Sequence, residues 1–189
     1  MSRRRRQSVD RSLLVGAFAF AAFVVLVIGG RILSASASQP IPGADSSFAT
    51  KAAAGGMAEV KMGLLAQEKG TNDAVKAFGQ RMVDDHSKAG DKLKDVAAKE
   101  GMTLPADISK DDQREYDRLS KLSGKDFDQA YAQAMVKDHV ADIAEFKKEA
   151  MSGGDPRLKQ FASETLPTLQ DHLKQAREMA TTVGAPAQM

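Results

Sequence analysis

Met135-Val136-Lys137-Asp138-His139 repeats an earlier Met82-Val83-Asp84-Asp85-His86, and Asp171-His172 echoes both. All three histidines of the chain therefore sit in Asp-His pairs. Outward from each pair the apolar residues step by three and four. Val75, Phe78, Met82, His86, Leu93 and Val96 form one stripe. Phe127, Tyr131, Met135, His139, Ile143 and Phe146 form a second, and Leu158, Phe161, Leu169, His172, Ala176 and Met179 a third. That period places every histidine on the buried face of a long helix.

The boundaries come from capping and breaking residues. Helices are predicted from about Ser47 to Lys69, Asn72 to Glu100, Ser123 to Met151 and Pro156 to Val183. Gly70, Gly101 and Ser152-Gly153-Gly154 stop the first three, and Asp155-Pro156 opens the last. The connector 101–123 holds Pro105 and a short polar helix, Ser109 to Leu122, with Ser109 and Asp112 as a capping pair. Pro167 is expected to kink the fourth long helix, because its ring removes a donor and crowds the preceding turn. A two-residue joint makes the first two helices antiparallel neighbours, and the fold class is all-α, an antiparallel four-helix bundle with a long connection between the second and third helices. The first helix shows two apolar faces, Met57/Val60/Leu64 and Ala52/Gly55/Glu59/Met62, and is expected to touch two neighbours.

Four segments follow. Residues 1–37 carry Arg3 to Arg6 and Arg11 ahead of an apolar or glycine run over 13–30, which reads as an export signal. Ala35-Ser36-Ala37 suits cleavage, but eighteen apolar residues span about 27 Å, so an uncleaved membrane anchor is equally open. Either outcome places the remainder outside the cytoplasm, in the periplasm, free or held at the inner membrane. Residues 38–46 read as a linker, 47–184 as the helical domain and 185–189 as a tail.

Composition narrows the function classes. Six Arg and one Asp lie in the first 37 residues, so the formal +2 of the chain becomes −3 for the rest, 21 basic against 24 acidic residues. No basic stripe with interleaved aromatics is present, which argues against a nucleic-acid partner; no protein partner is indicated. The absence of cysteine removes disulfides, thiolate ligands and a Cys nucleophile. No Ser-His-Asp or paired-carboxylate arrangement stands out, and a non-enzymatic role is favoured over a hydrolase.

The histidines carry the chemical content. Helix midpoints near 58, 86, 138 and 169 bring Glu59, His86, His139 and His172 to one level of the bundle, a ligand set suited to Cu, Zn, Mn or Fe. Asp85, Asp138 and Asp171 are candidate outer partners, each placed to orient an imidazole of a neighbouring helix. Met82 and Met135, one turn before a histidine, are candidate soft ligands but fit core packing better. A ferritin-type di-iron centre wants Glu-x-x-His, whereas Val83, Val136 and Leu169 stand three residues before the histidines. The competing reading is an envelope stress or protein-interaction module whose histidines only fix register.

Phe48-Ala49, Ala53-Ala54-Gly55-Gly56-Met57-Ala58-Glu59-Val60, Met82-Val83-Asp84-Asp85-His86, Gly124-Lys125-Asp126-Phe127-Asp128, Asp138-His139 and Leu166-Pro167-Thr168-Leu169-Gln170-Asp171-His172-Leu173 resemble a bacterial domain-of-unknown-function family of exported, ferritin-like four-helix proteins, often labelled outer membrane or periplasmic. The resemblance spans about residues 47–180. It implies a ferritin-like bundle outside the cytoplasm without a settled activity, and it aligns Glu59, His86, His139 and His172 with the family's motif positions. No alternating barrel strands accompany it, so a periplasmic or inner-membrane-anchored domain is the expectation.

Overall fold

The computed structural model describes residues 43–186, which form five helices and no strand: α1 (Gly43–Lys69), α2 (Asp73–Glu100), α3 (Lys110–Ser120), α4 (Gly124–Ser152) and α5 (Pro156–Val183). The export signal, the membrane-anchor alternative and most of the linker expected from the sequence lie outside the described residues. Among the described residues no helix is long and apolar enough to cross a membrane.

Helix ends follow the local chemistry. Asn72 accepts from the Ala74 amide at 2.9 Å, Ser109 from Asp112, and Asp155 from the amides of Arg157 and Leu158 ahead of Pro156. Gly101 and Gly184 end α2 and α5 in the left-handed region at φ 65° and 71°. Ser123, expected to open the third long helix, makes no side-chain cap bond. α5 runs through Pro167 as one helix. Pro167 and Ser163 are both exposed, so water can take the carbonyl that the proline leaves without a donor.

Two antiparallel hairpins, α1–α2 and α4–α5, pack with α2 against α5 and α1 against α4, while short α3 lies on α1 and α4. Each hairpin turn is fastened by a buried aspartate of the other hairpin. Asp128 of α4 accepts from the Thr71 hydroxyl and from the amides of Thr71 and Asn72 at 3.0 and 2.9 Å. Asp45 of α1 accepts from the Gly154 amide at 2.9 Å and from Asp155. That second tie explains why α1 begins at Gly43, four residues earlier than its composition suggests: a tertiary bond outweighs the linker-like sequence of its first turn.

The α1–α2 crossing is set by Gly63 and Gly79. A Cβ on Gly63 would lie 2.6 Å from the Gly79 oxygen, and one on Gly79 2.7 Å from the Gly63 oxygen, so only glycine permits this approach. The same crossing rotates α1 so that Ala58, Met62, Leu65 and Ala66 face inward. Leu64, expected on a buried face, is instead 54% exposed.

Apolar side chains form two clusters. One joins Met62, Val75, Phe78, Met82, Phe127, Tyr131, Met135 and Met179; the other joins Phe48, Leu93, Phe146, Leu158, Phe161 and Leu169. His86 of α2, His139 of α4 and His172 of α5 each fall between residues of the two clusters, while Glu59 of α1 follows Ala58 at the edge of the first. A polar layer thus separates two apolar halves.

Candidate metal centre

Glu59 of α1, His86 of α2, His139 of α4 and His172 of α5 are each contributed by a different long helix, and all are buried, with 3, 7, 0 and 1% of their surface exposed. One nitrogen of each imidazole lies within 4.8 Å of one nitrogen of each of the others. Glu59 joins them, with Oε2 2.9 Å from His86 Nδ1 and Oε1 3.4 Å from His139 Nε2.

The outer contacts decide where the protons sit. His139 Nδ1 donates to the Met135 carbonyl at 2.9 Å, so neutral His139 carries its proton there and Nε2 is a bare lone pair. His172 Nε2 donates to Asp85 Oδ2 at 2.9 Å, which leaves Nδ1 of neutral His172 bare. Burial holds both imidazoles below the usual histidine value, His172 at about 4, so both are neutral at pH 7. Yet His139 Nε2 and His172 Nδ1 face each other at 3.3 Å. With no proton to share, that contact is two lone pairs opposed rather than a hydrogen bond.

Glu59 and His86 complete the electrostatics. Burial alone would raise the Glu59 carboxyl, but the charge of His86, then that of His139, and the His86 hydrogen bond outweigh it and hold Glu59 at about 2. Burial would likewise lower His86, but the Glu59 charge and hydrogen bond raise it. Two buried atoms of this pair have no hydrogen-bond partner in the protein, Glu59 Oε1 and His86 Nε2. The 3.4 Å approach of Oε1 to His139 therefore lacks the direction of a hydrogen bond.

The sequence-derived candidates are distributed as follows. Glu59, His86, His139 and His172 come together. Asp85 orients the imidazole of a neighbouring helix and is itself held by Arg81 at 3.2 Å, the charge-assisted bonds to His172 and Arg81 keeping its carboxyl below the usual value despite burial. Asp171 reaches no histidine; it binds Arg81 at 2.7 Å and so braces Asp85 indirectly. Asp138 forms no hydrogen bond with an imidazole, and burial with the charges of Glu59, Asp112 and Glu115 raises it to about 7. Met82 and Met135 are fully buried in the first apolar cluster. Sequence patterns missed the Met135 carbonyl, because any residue supplies one. Arg81 was legible as an i, i+4 partner of Asp85.

A family model described as Domain of unknown function (DUF4142) matches residues 32–179. The chain belongs to that family. No curated protein matches it. Among solved structures, the DUF305 fragment from Deinococcus radiodurans superposes with a TM-score of 0.65 at 14% identity, covering 77% of this chain and 99% of its own. A structure named "putative secreted protein DUF305" from Streptomyces coelicolor gives 0.66 at 14% identity, covering 77% and 96%. At that identity the likeness concerns the fold alone: this DUF4142 chain shares its helical bundle with DUF305 proteins.

Proposed function

We propose that the protein is an exported cell-envelope bundle that binds one transition-metal ion between Glu59, His86, His139 and His172. The observation that carries the reading is the opposed pair of lone pairs. A tetrahedral ion with bonds of about 2.0–2.1 Å to imidazole needs its donors about 3.3–3.4 Å apart. His139 Nε2 stands 3.3 Å from His172 Nδ1 and 3.4 Å from Glu59 Oε1, which matches two edges of such a polyhedron. The widest imidazole separation, 4.8 Å, must close by roughly 1.5 Å to reach the same edge. His86 is the ligand best placed to move, since its Nε2 has no partner to give up.

The donor set of three imidazoles and one carboxylate suits Cu, Zn, Fe or Mn, and the general order of stability favours Cu and Zn. Asp85 and the Met135 carbonyl then act as the outer acceptors that fix the tautomers of two ligands. Export is supported by the Arg-rich start and the apolar run over 13–30, and by the name of the Streptomyces coelicolor protein. The same run supports anchoring at the membrane if it is retained.

The test is elemental analysis of untagged protein, followed by melting with Cu, Zn, Mn and Fe before and after chelation. An ion at a hundred times its dissociation constant stabilises the fold by about 3 kcal/mol, a rise of roughly 5–10 °C for a domain of this size. His139→Ala abolishes the rise, and affinity falls as pH drops, first as His86, whose value is raised, protonates and again toward about pH 4 as His172 does. Protein that carries no metal and melts at the same temperature with all four ions leaves the histidines as a register layer in a non-metal bundle.

A further inference from the structure

A small, partly open pocket of about 30 Å³ adjoins the layer, with Glu59, His86 and Asp142 among its polar lining and Phe146, Phe161 and Leu169 among its apolar lining. One water needs about 10–15 Å³ by this measure, so the space holds two waters or one molecule of two or three heavy atoms. Glu59 and His86 line it, and each also carries a buried polar atom without a protein partner. A purely apolar void would show no such atoms, and a packing defect would not be bounded by carboxylate and imidazole on one side alone.

Glycines line the rest. Gly55, Gly56 and Gly90 border the cavity, and a Cβ built on Gly55 or Gly90 meets nothing within 4 Å, while one on Gly56 meets only His86 Nδ1 at 4.0 Å. These three differ from Gly63 and Gly79, where backbone contact demands the missing side chain. Glycine in a helix interior costs stability relative to alanine, so here it keeps space open without serving packing. A surface groove of about 520 Å³ between α1, α2 and the connector at Leu104 and Pro105 is lined by the same Gly56, His86 and Gly90. The groove and the pocket thus share His86, Gly56 and Gly90 as lining.

We propose that this cavity is the exogenous-ligand position of the metal centre and admits a water or a small diatomic or triatomic molecule, which enters over Gly56 and Gly90 and binds the ion beside Glu59 and His86. The proposal rests on the metal reading above and adds what that reading does not contain, a fifth or exchangeable position facing space rather than protein. Small anions of the azide type fit its volume and its mixed walls.

The test uses the full chain loaded with Co(II), whose visible spectrum reports its ligands, and azide as the probe. Saturable spectral change with azide is expected for the wild type. Gly90→Val and, separately, Gly55→Val should retain the Co(II) spectrum and lose at least tenfold in azide affinity, since each places methyl groups in the cavity where no other atom stands. Cobalt uptake with a spectrum indifferent to azide overturns the cavity proposal alone, as does an unchanged azide affinity in folded variants. Failure of the wild type to take up cobalt overturns the metal reading and this proposal with it.

Discussion

His172 is an imidazole whose protonation the metal-free fold resists, and His172→Gln measures that resistance. The Gln amide nitrogen can still donate to Asp85, so the variant keeps the outer bond and removes only the titration. In the fold His172 is held at about 4 by burial, against about 6.5 in an unfolded chain. A histidine with a lowered value binds its proton in the unfolded state first, so its penalty is absent above about pH 6.5 and grows as pH falls toward 4. At about 1.36 kcal/mol per unit, the stability of chelated wild type should fall relative to His172→Gln by about 2 to 3 kcal/mol between pH 7 and 4.5. The difference between the two proteins is the right observable because other groups titrate in the same window. Asp138, raised to about 7, and Asp142, raised by burial and by Glu59, favour the fold in their protonated forms and oppose the His172 slope. They are present in both proteins and cancel to first order. Urea unfolding with EDTA at pH 7.0, 5.5 and 4.5 provides the free energies. A stability difference that stays within about 0.5 kcal/mol across that range, below the coupling scale of neighbouring residues, would refute the claim that His172 is buried neutral.

Gly63→Ala drives a methyl to 2.6 Å from the Gly79 oxygen and should cost about 1–3 kcal/mol in a urea titration, the range for an overfilled site. Gly90→Ala meets open space and should gain about 0.5–1 kcal/mol. Asp128→Ala strips the α1–α2 turn of its acceptor for the Thr71 hydroxyl and the amides of Thr71 and Asn72. It should lower stability by about 2–4 kcal/mol at pH 7, with hydrogen exchange rising first at Thr71 and Asn72.

The all-helical bundle was legible because three of its four long helices carry uninterrupted stripes with a polar residue at the same height. The caps at Asn72, Ser109 and Asp155 and the stops at Gly101 and Gly184 are local chemistry, which a sequence displays directly. What escaped it was set by contacts between distant segments. The first turn of α1 looks like a tether until Asp45 meets the amides of Gly154 and Asp155. Leu64 looks like core until the Gly63–Gly79 contact rotates α1. The site divides in the same manner: stripe positions brought the four central side chains to one level, whereas equal spacing made Asp85, Asp138 and Asp171 look equivalent. Arg81 separates them, because it draws Asp171 away from the layer and presses Asp85 toward His172. Nothing in the repeat itself encodes that choice.

A polar layer between two apolar clusters could exist only to fix the register of the helices, and such a layer is stable when every buried donor and acceptor is satisfied. Two satisfied atoms lie on the outer side of their rings, His139 Nδ1 on the Met135 carbonyl and His172 Nε2 on Asp85, while His86 Nδ1 pairs with Glu59 within the layer. Glu59 Oε1 and His86 Nε2 have no partner, and the tautomers set by the outer bonds leave His139 Nε2 and His172 Nδ1 facing each other without a proton. A register device gains nothing from that division, since each orphaned buried group costs about 1–3 kcal/mol. A cation between His139, His172 and Glu59 turns the same lone pairs from a liability into bonds. The tautomers that the outer partners impose on His139 and His172 are the ones that ligation requires, which is the physical ground of the proposed metal reading.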